Sequence, residues 1–249
     1  MSSVHGPLRS QIRAELQILL RNGEQLLLTL IIPVMLLVFF SVVEVLPSGD
    51  PAVFADPVDF LTPGILALAV MSSAMVSLGI ATGFERSYHV LKRLGVTPLG
   101  RPRWLLAKVV TVLVVQIIQM AVLLGVALGL GWRPESARWL LAIGALAAGT
   151  AAFVGIGMTL AGRLRAEINL ALQNALFLVF LLLGGMVIPF EDLPGPLASV
   201  ARLLPSGALA DVLRDALVGG ADQPGTSWIV LGVWALIAPL LAAILFRWD

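Results

Sequence analysis

Residues 84–108 read FERSYHVLKRLGVTPLGRPRWLLAK and separate two long apolar runs. The cations of this basic segment are Arg86, Lys92, Arg93, Arg101, Arg103 and Lys108. Glu85 is its only acid. A positive loop between two membrane spans marks the cytoplasmic side, because the placement of Lys and Arg sets the topology. The segment therefore predicts a sidedness, and it offers a surface to which a soluble partner could bind.

The composition is that of a membrane protein. Hydrophobic residues make up 59% of the 249 residues and charged residues 12%, whereas soluble domains have about 45–50% and about 25%. The sequence contains no cysteine, so disulfides, thiolate metal sites and a cysteine nucleophile are excluded.

Long apolar runs define the transmembrane segments. A helix needs about 20 mostly apolar residues to cross a hydrocarbon core ~30 Å thick. Six stretches meet this requirement: about 25–46, 62–84, 104–131, 139–162, 167–189 and 227–246. Their apolar residues are continuous rather than alternating, which favours helices over the strands of a membrane barrel. We expect an all-α polytopic membrane protein that forms a single domain over residues 1–249.

The distribution of cations predicts the orientation. Twelve of the 16 Lys and Arg residues fall on the side that holds the 84–108 segment and both termini. The other side keeps Arg133, Arg138, Arg202 and Arg214. Both termini are therefore predicted to be cytoplasmic.

Three segments are neither spans nor simple loops. Residues 7–22 carry apolar residues at helical spacing opposite arginines, which predicts an amphipathic helix in the cytoplasmic interface. Residues 206–218 predict a second amphipathic helix, with Ser206 as its N-cap. Just before this helix, Gly185 to Pro189 and Leu193-Pro194 suggest a span that breaks and re-enters near the outer surface. The alternative is an external loop packed on the bundle.

Polar residues inside the spans are few. The middle of every predicted span lacks Asp, Glu, Lys, Arg and His, which argues against an intramembrane protease and a proton-coupled pump. The candidate pathway or interhelical polar residues are Gln116, Gln119, Asn169, Gln173 and Asn174. Such residues either hydrogen-bond between helices or line a substrate path.

Small residues are dense in the fourth span, and Gly125 and Gly129 form a small-xxx-small pattern in the third. Small residues let helices approach closely. Packing within the bundle is one interpretation, and a contact between two copies is the other.

The phosphate-binding pattern GxxxxGK[ST] is absent from the sequence, so the energy for uphill transport must come from another subunit. Residues 85–97 are the candidate contact with that subunit. As a short helix ended by Thr97-Pro98, they place Arg86 and His89 on one face and Tyr88 and Leu91 on another. The alternative is a solvated positive loop.

Several motifs, taken in order along six spans, resemble those of type-2 ABC permeases, the membrane subunits of bacterial drug, lipid and polysaccharide exporters. DFLTPGI at 59–65 is similar to the start of that family's second span. The loop with ER at 85–86 and LKRLGVTPL at 91–99 is similar to its ER…LxRLxxTPL loop, and Lys108 matches a lysine that opens the third span. GMVIP at 185–189 with LPG at 193–195 and Leu204-Pro205 resembles its external G-x-x-x-P…LP…LP segment.

The resemblance implies a permease subunit of an ATP-driven exporter in the bacterial cytoplasmic membrane, moving a hydrophobic drug, a lipid or a glycan-type substrate outward. It implies no catalytic residue and no cofactor in this chain, with ATP and Mg²⁺ in two cytoplasmic ATPase subunits. It also implies a second permease subunit, identical or a sister protein. The implied ATPase-coupling surface comprises Glu85, Arg86, Tyr88, Leu91, Lys92, Arg93, Leu94, Thr97 and Pro98. A membrane assembly or scaffold subunit that transports nothing is the alternative function.

Overall fold

The computed structural model describes residues 11–13, 15, 17, 23–43, 56–91, 100–134, 137–219 and 224–248. Regular structure in these residues is helical throughout. The helices are α1 (Gly23–Val42), α2 (Pro57–Ser87), α3 (Gly100–Gly129), α4 (Trp139–Arg163), α5 (Ala166–Leu183), α6 (Gly195–Leu203), α7 (Pro205–Leu217) and α8 (Pro224–Leu245).

The prediction of an all-helical membrane protein is confirmed for five spans. Helices α2, α3, α4, α5 and α8 are long and apolar enough to cross a membrane. The remaining predicted span, the first in the chain at 25–46, corresponds to the 20-residue helix α1; residues 44–46 lie outside the described part of the chain. Within α1 the apolar stretch Thr29–Val42 is shorter than a full span.

The helix bundle has two distinct ends. At the basic end, defined by the C-terminus of α2 and the N-terminus of α3, the Arg247 amide donates to Gly162 O at 3.1 Å and so joins the ends of α4 and α8. At the tryptophan end, the Trp132 and Trp139 rings pack edge to face, 6.4 Å apart. The Arg138 amide there donates to Ala216 O at 2.6 Å.

Helix α2 is the centre of the bundle. It begins at Pro57, whose fixed φ suits a first helical residue, and its residues 60–71 are all buried. It packs against α1, α3, α4, α5 and α7. One wide π-helical turn, Ser72–Ser77, interrupts it midway, a feature that is frequent at functional sites.

Helices α4 and α8 pack together more extensively than any other pair of described helices. A Cβ placed on Gly155 would lie 2.3 Å from the Ala238 carbonyl carbon and 2.4 Å from Pro239 N, so the missing side chain is what allows this approach. In α3, by contrast, a Cβ on Gly125 or Gly129 would meet no described atom within 4 Å. Packing within the bundle thus accounts for glycines of α4 but not for the pattern in α3.

The segment after α5 differs from its prediction at two points. The fifth helix ends at Leu183, before the predicted limit of 189, because Gly185 adopts a positive φ of 59° that only glycine takes readily. Ser206 is not the N-cap of α7: the helix begins at Pro205 after an extended Leu204, which is the conformation that a residue before proline prefers.

Helix α7 agrees with the predicted range 206–218 to within one residue at each end, but it is not a surface helix with a solvated polar face. Nearly all of its residues are buried, Asp211 and Arg214 included. The Arg214 guanidinium donates to Gly185 O and lies 4.0 Å from the centre of the Phe60 ring. A Cβ on Gly64 would lie 1.9 Å from Met186 O, so the DFLTPGI segment is in direct contact with the turn that follows α5. Arg214 joins α7 to both of these segments at the tryptophan end.

Candidate functional site

The basic end brings together residues that the sequence places far apart. Lys108 Nζ lies 2.8 Å from Glu15 Oε2 and also forms an ion pair with Glu85 Oε1. The three side chains come from the N-terminal segment, the last turn of α2 and the third turn of α3. We call Glu15, Glu85 and Lys108 the ion cluster.

The ion cluster is largely shielded from water. The Lys108 side chain is 5% exposed, Glu15 11% and Glu85 26%. Lys108 Nζ is also 5.8 Å from the centre of the Trp104 ring. Burying charges costs several kcal/mol per ion, which only close, hydrogen-bonded partners repay. Lys108 therefore holds the N-terminal segment and α2 together at one point on α3.

A second contact links the end of α2 to the loop between α4 and α5. Arg86 donates from its guanidinium to Leu164 O. Two residues before Leu164, Gly162 O accepts a hydrogen bond from the Arg247 amide. Displacement of the end of α2 would therefore be transmitted to α3 through Lys108 and to α4 and α5 through Leu164.

A short tip at this end is formed by Ser87–His89, in which all three residues are exposed. Tyr88 is 67% exposed, and its ring stacks on Phe84 with the centroids 6.1 Å apart. His89 has a positive φ of 57°. A non-glycine residue in this region ends the α-helical path, so the polypeptide turns here.

The predicted helix over 85–97 is wrong in its first half. Glu85 and Arg86 are the last turn of α2, and the turn at Tyr88–His89 separates them from Val90 and Leu91, so they do not share helical faces with the residues that follow. Leu91 is only 3% exposed and belongs to the core of this chain, so its apolar side chain is not free for a partner. The remaining predicted coupling residues, Lys92, Arg93, Leu94, Thr97 and Pro98, lie outside the described residues.

The predicted interfacial helix at 7–22 is described only at residues 11–13, 15 and 17, which are helical. Here sequence reasoning missed the role of Glu15, which is the partner of Lys108. A signal was present: Glu15 interrupts the apolar stripe of the predicted helix, where a carboxylate needs a partner to be buried.

The polar residues within the spans form hydrogen bonds between helices. Thr150 Oγ1 of α4 donates to Gln116 Oε1 at 2.9 Å, and Gln116 Nε2 donates to Ser73 Oγ of α2 at 3.2 Å. Gln119 Nε2 donates to Thr29 O of α1 at 3.0 Å. These bonds join α1, α2, α3 and α4 near the middle of the bundle.

Two more polar residues join α5 to its neighbours. Asn169 Nδ2 donates to Gly79 O at 2.9 Å, and Gln173 Nε2 donates to Gly157 O at 3.3 Å. Asn174, the last of the predicted group, instead donates to Leu170 O of its own helix and is exposed on the outer face of α5. The structure therefore separates Asn174 from the buried interhelical residues.

The comparisons with known proteins agree with this architecture. Residues 55–244 match the family described as ABC-2 family transporter protein. The chain is also 29% identical over 248 residues to the protein named "Putative transport permease YvfS" of Bacillus subtilis (strain 168), with 96% of this chain and 97% of the relative covered. A polytopic helical bundle that matches this family over most of its length belongs to the ABC-2 family of transporter proteins.

Proposed function

We propose that this chain is the permease subunit of an ATP-driven exporter in the bacterial cytoplasmic membrane. We further propose that a separate ABC ATPase binds the basic end and moves it. Family membership supports a transmembrane subunit that works with an ABC ATPase. The observation that carries the proposal is the ion cluster, because it connects the surface next to the exposed Tyr88 tip with both α2 and α3.

The mechanism follows from these connections. Binding of the ATPase at the Tyr88 tip moves the end of α2. Lys108 passes this displacement to α3, and the Arg86–Leu164 bond passes it to the loop between α4 and α5. A rearrangement of this kind is a two-state repacking of helices that nucleotide biases. This chain contributes no catalytic residue and no cofactor, and the partner subunits hold ATP and Mg²⁺.

A second permease subunit, identical or a sister protein, completes the transporter. Support comes from the broad apolar face that α5 leaves uncovered, which includes Ile168, Leu178 and Leu182. Substrate then moves between the first, second and fifth spans of the two subunits or along their lipid face. A hydrophobic drug, a lipid or a glycan-type molecule suits such a route. The alternative function, a scaffold subunit, predicts assembly without transport.

The Tyr88 tip provides the direct test of ATPase binding. Tyr88→Ala is expected to reduce copurification of the ATPase about tenfold or more, since a truncated interface tyrosine at a hot spot costs about 2 kcal/mol. The abundance of the permease in the membrane should stay at the wild-type level, because substitutions of exposed residues change stability by only about ±0.5 kcal/mol.

Leu140→Ala is the matched control, since Leu140 is 83% exposed at the opposite end of the bundle. It should leave ATPase binding unchanged. Wild-type ATPase copurification with Tyr88→Ala would show that the tip is not part of the coupling surface. ATPase binding without any substrate efflux from loaded vesicles would favour the scaffold function.

The proposed orientation has its own test, which the absence of native cysteine makes simple. Ser87 and Ser199 are both exposed, at the basic end and in α6 respectively. In intact cells, a membrane-impermeant maleimide is expected to label Ser199→Cys but not Ser87→Cys. Labelling of both should follow once the membrane is permeabilised. Labelling of Ser87→Cys alone in intact cells would show that the orientation is opposite to the proposed one.

A further inference from the structure

A groove lies between α3 and α4 on the outside of the bundle. Its volume is about 360 Å³, and α2 and α7 form its floor through Leu66, Val70 and Leu213. Helix α3 packs on α1 and α2, and it makes few contacts with α4. Ile117 and Ile143, on the rims of the groove, are 69% and 61% exposed. The groove therefore opens sideways, towards the lipid.

The groove ends at the middle of the membrane. Gln116 and Thr150, its polar lining residues, lie near the midpoints of α3 and α4 and are hydrogen-bonded to each other at 2.9 Å. From Leu113 to Leu124, the first and last α3 residues that line the groove, a helix rises ~16 Å. One leaflet of a ~30 Å hydrocarbon core is ~15 Å deep. The groove thus matches the depth of a single leaflet.

The upper end of the groove has the character of a membrane interface. Trp139 lines the groove, and its ring packs on that of Trp132. Trp132 and Arg133 line a second cavity of about 370 Å³ one helical turn further along, at Leu128. Tryptophans are enriched at the level of the lipid headgroups. Arg133 is exposed and forms no ion pair with a described residue, whereas Arg138 is paired with Asp215 at 2.6 Å.

These features select one occupant. The polar groups of the groove satisfy each other, so the groove does not favour water. A transmembrane helix ~10 Å across would occupy roughly 1,250 Å³ over the same ~16 Å length, more than three times the volume of the groove. A single hydrocarbon chain is narrow enough, and a phosphate at the interface complements the cation at Arg133. We propose that this groove binds one acyl chain of a membrane phospholipid, with the phosphate of that lipid at Arg133.

The test uses the purified full-length chain in phosphatidylcholine vesicles that contain phosphatidylglycerol with a diazirine at the end of one acyl chain. After illumination, adducts are expected to concentrate on residues 113–120 and 143–150. Ala147→Trp fills the groove from an exposed position and should lower these adducts at least fivefold. Ile143→Trp is a second filling variant at another exposed position.

Ala243→Trp is the matched control, because Ala243 is also exposed, lies on α8 and does not line the groove. It should leave the adducts unchanged. Labelling spread evenly over all exposed apolar residues, or unchanged when both filling variants are made, would overturn the proposal. High-yield disulfide formation between two copies of Ile117→Cys would assign the groove to a second copy instead, and would also overturn it.

The headgroup contact is tested with a diacylglycerol probe that carries the same diazirine but no phosphate. The wild-type protein is expected to capture the phospholipid probe severalfold more efficiently than the diacylglycerol probe. Arg133→Gln should bring this ratio close to one without changing the position of the adducts. Equal capture of both probes by the wild-type protein would refute the phosphate contact. Neither measurement depends on ATP or on transport.

Discussion

Lys108→Met is expected to destabilise the protein by about 3–5 kcal/mol, the cost of removing one partner from a buried ion pair. The substitution leaves Glu15 and Glu85 as two like charges in a poorly hydrated site. The thermal unfolding of the purified permease in detergent measures this loss. Export by the complex with its ATPase should fall further than ATP hydrolysis does, because the link between α2 and α3 is broken.

Two variants serve as controls for Lys108→Met. The triple variant Glu15→Gln, Glu85→Gln, Lys108→Met removes all three charges and should recover much of the lost stability, since it leaves no uncompensated ion. Arg163→Gln removes an exposed cation at the same end and should behave as the wild type. Wild-type unfolding and export by Lys108→Met would mean that the ion cluster neither stabilises the basic end nor couples the helices.

Gly155→Ala is expected to destabilise the bundle by about 1–3 kcal/mol, the usual cost of overpacking a close contact. The new Cβ would lie 2.3 Å from the Ala238 carbonyl carbon. Because the atoms in its way are backbone atoms, a side-chain rotation cannot relieve the clash, and α4 and α8 must separate. A lower unfolding temperature and a smaller fraction of monodisperse protein after extraction are the expected readouts.

Gly125→Ala is the control for this prediction, with the same change in the interior of a helix. Its Cβ meets no described atom within 4 Å, and replacing glycine by alanine in a helix gains roughly 0.5–1 kcal/mol. The two substitutions should therefore shift the unfolding temperature in opposite directions. Destabilisation by Gly125→Ala as well would indicate a contact of α3 with a second copy.

The spans were predictable because each is a local property of the sequence. A continuous apolar run must become a helix in a bilayer, since no water satisfies its backbone. Helix α4 was predicted at 139–162 and extends over Trp139–Arg163. Helix boundaries were predicted less accurately where the conformation of a single residue decides them. Helix α5 ends early, at Leu183, because Gly185 adopts a positive φ.

The contacts made at the candidate site could not be predicted from the sequence. The basic segment and its Glu85-Arg86 pair identified the end of α2 as the surface of interest. The burial of Leu91 could not be foreseen, because the turn at His89 redirects the polypeptide into the core. Sequence periodicity assumes an unbroken helix, so it gave the wrong exposure for this residue.

The sequence by itself determined that this protein is a polytopic helical membrane protein, because hydropathy acts residue by residue. The tertiary structure alone decided which distant groups meet. Lys108 lies 93 residues from Glu15 and 23 from Glu85, and no periodicity relates these positions. The physical reason is that a buried lysine needs carboxylates close by, and only the packing of the N-terminal segment and α2 against α3 determines which carboxylates are within reach.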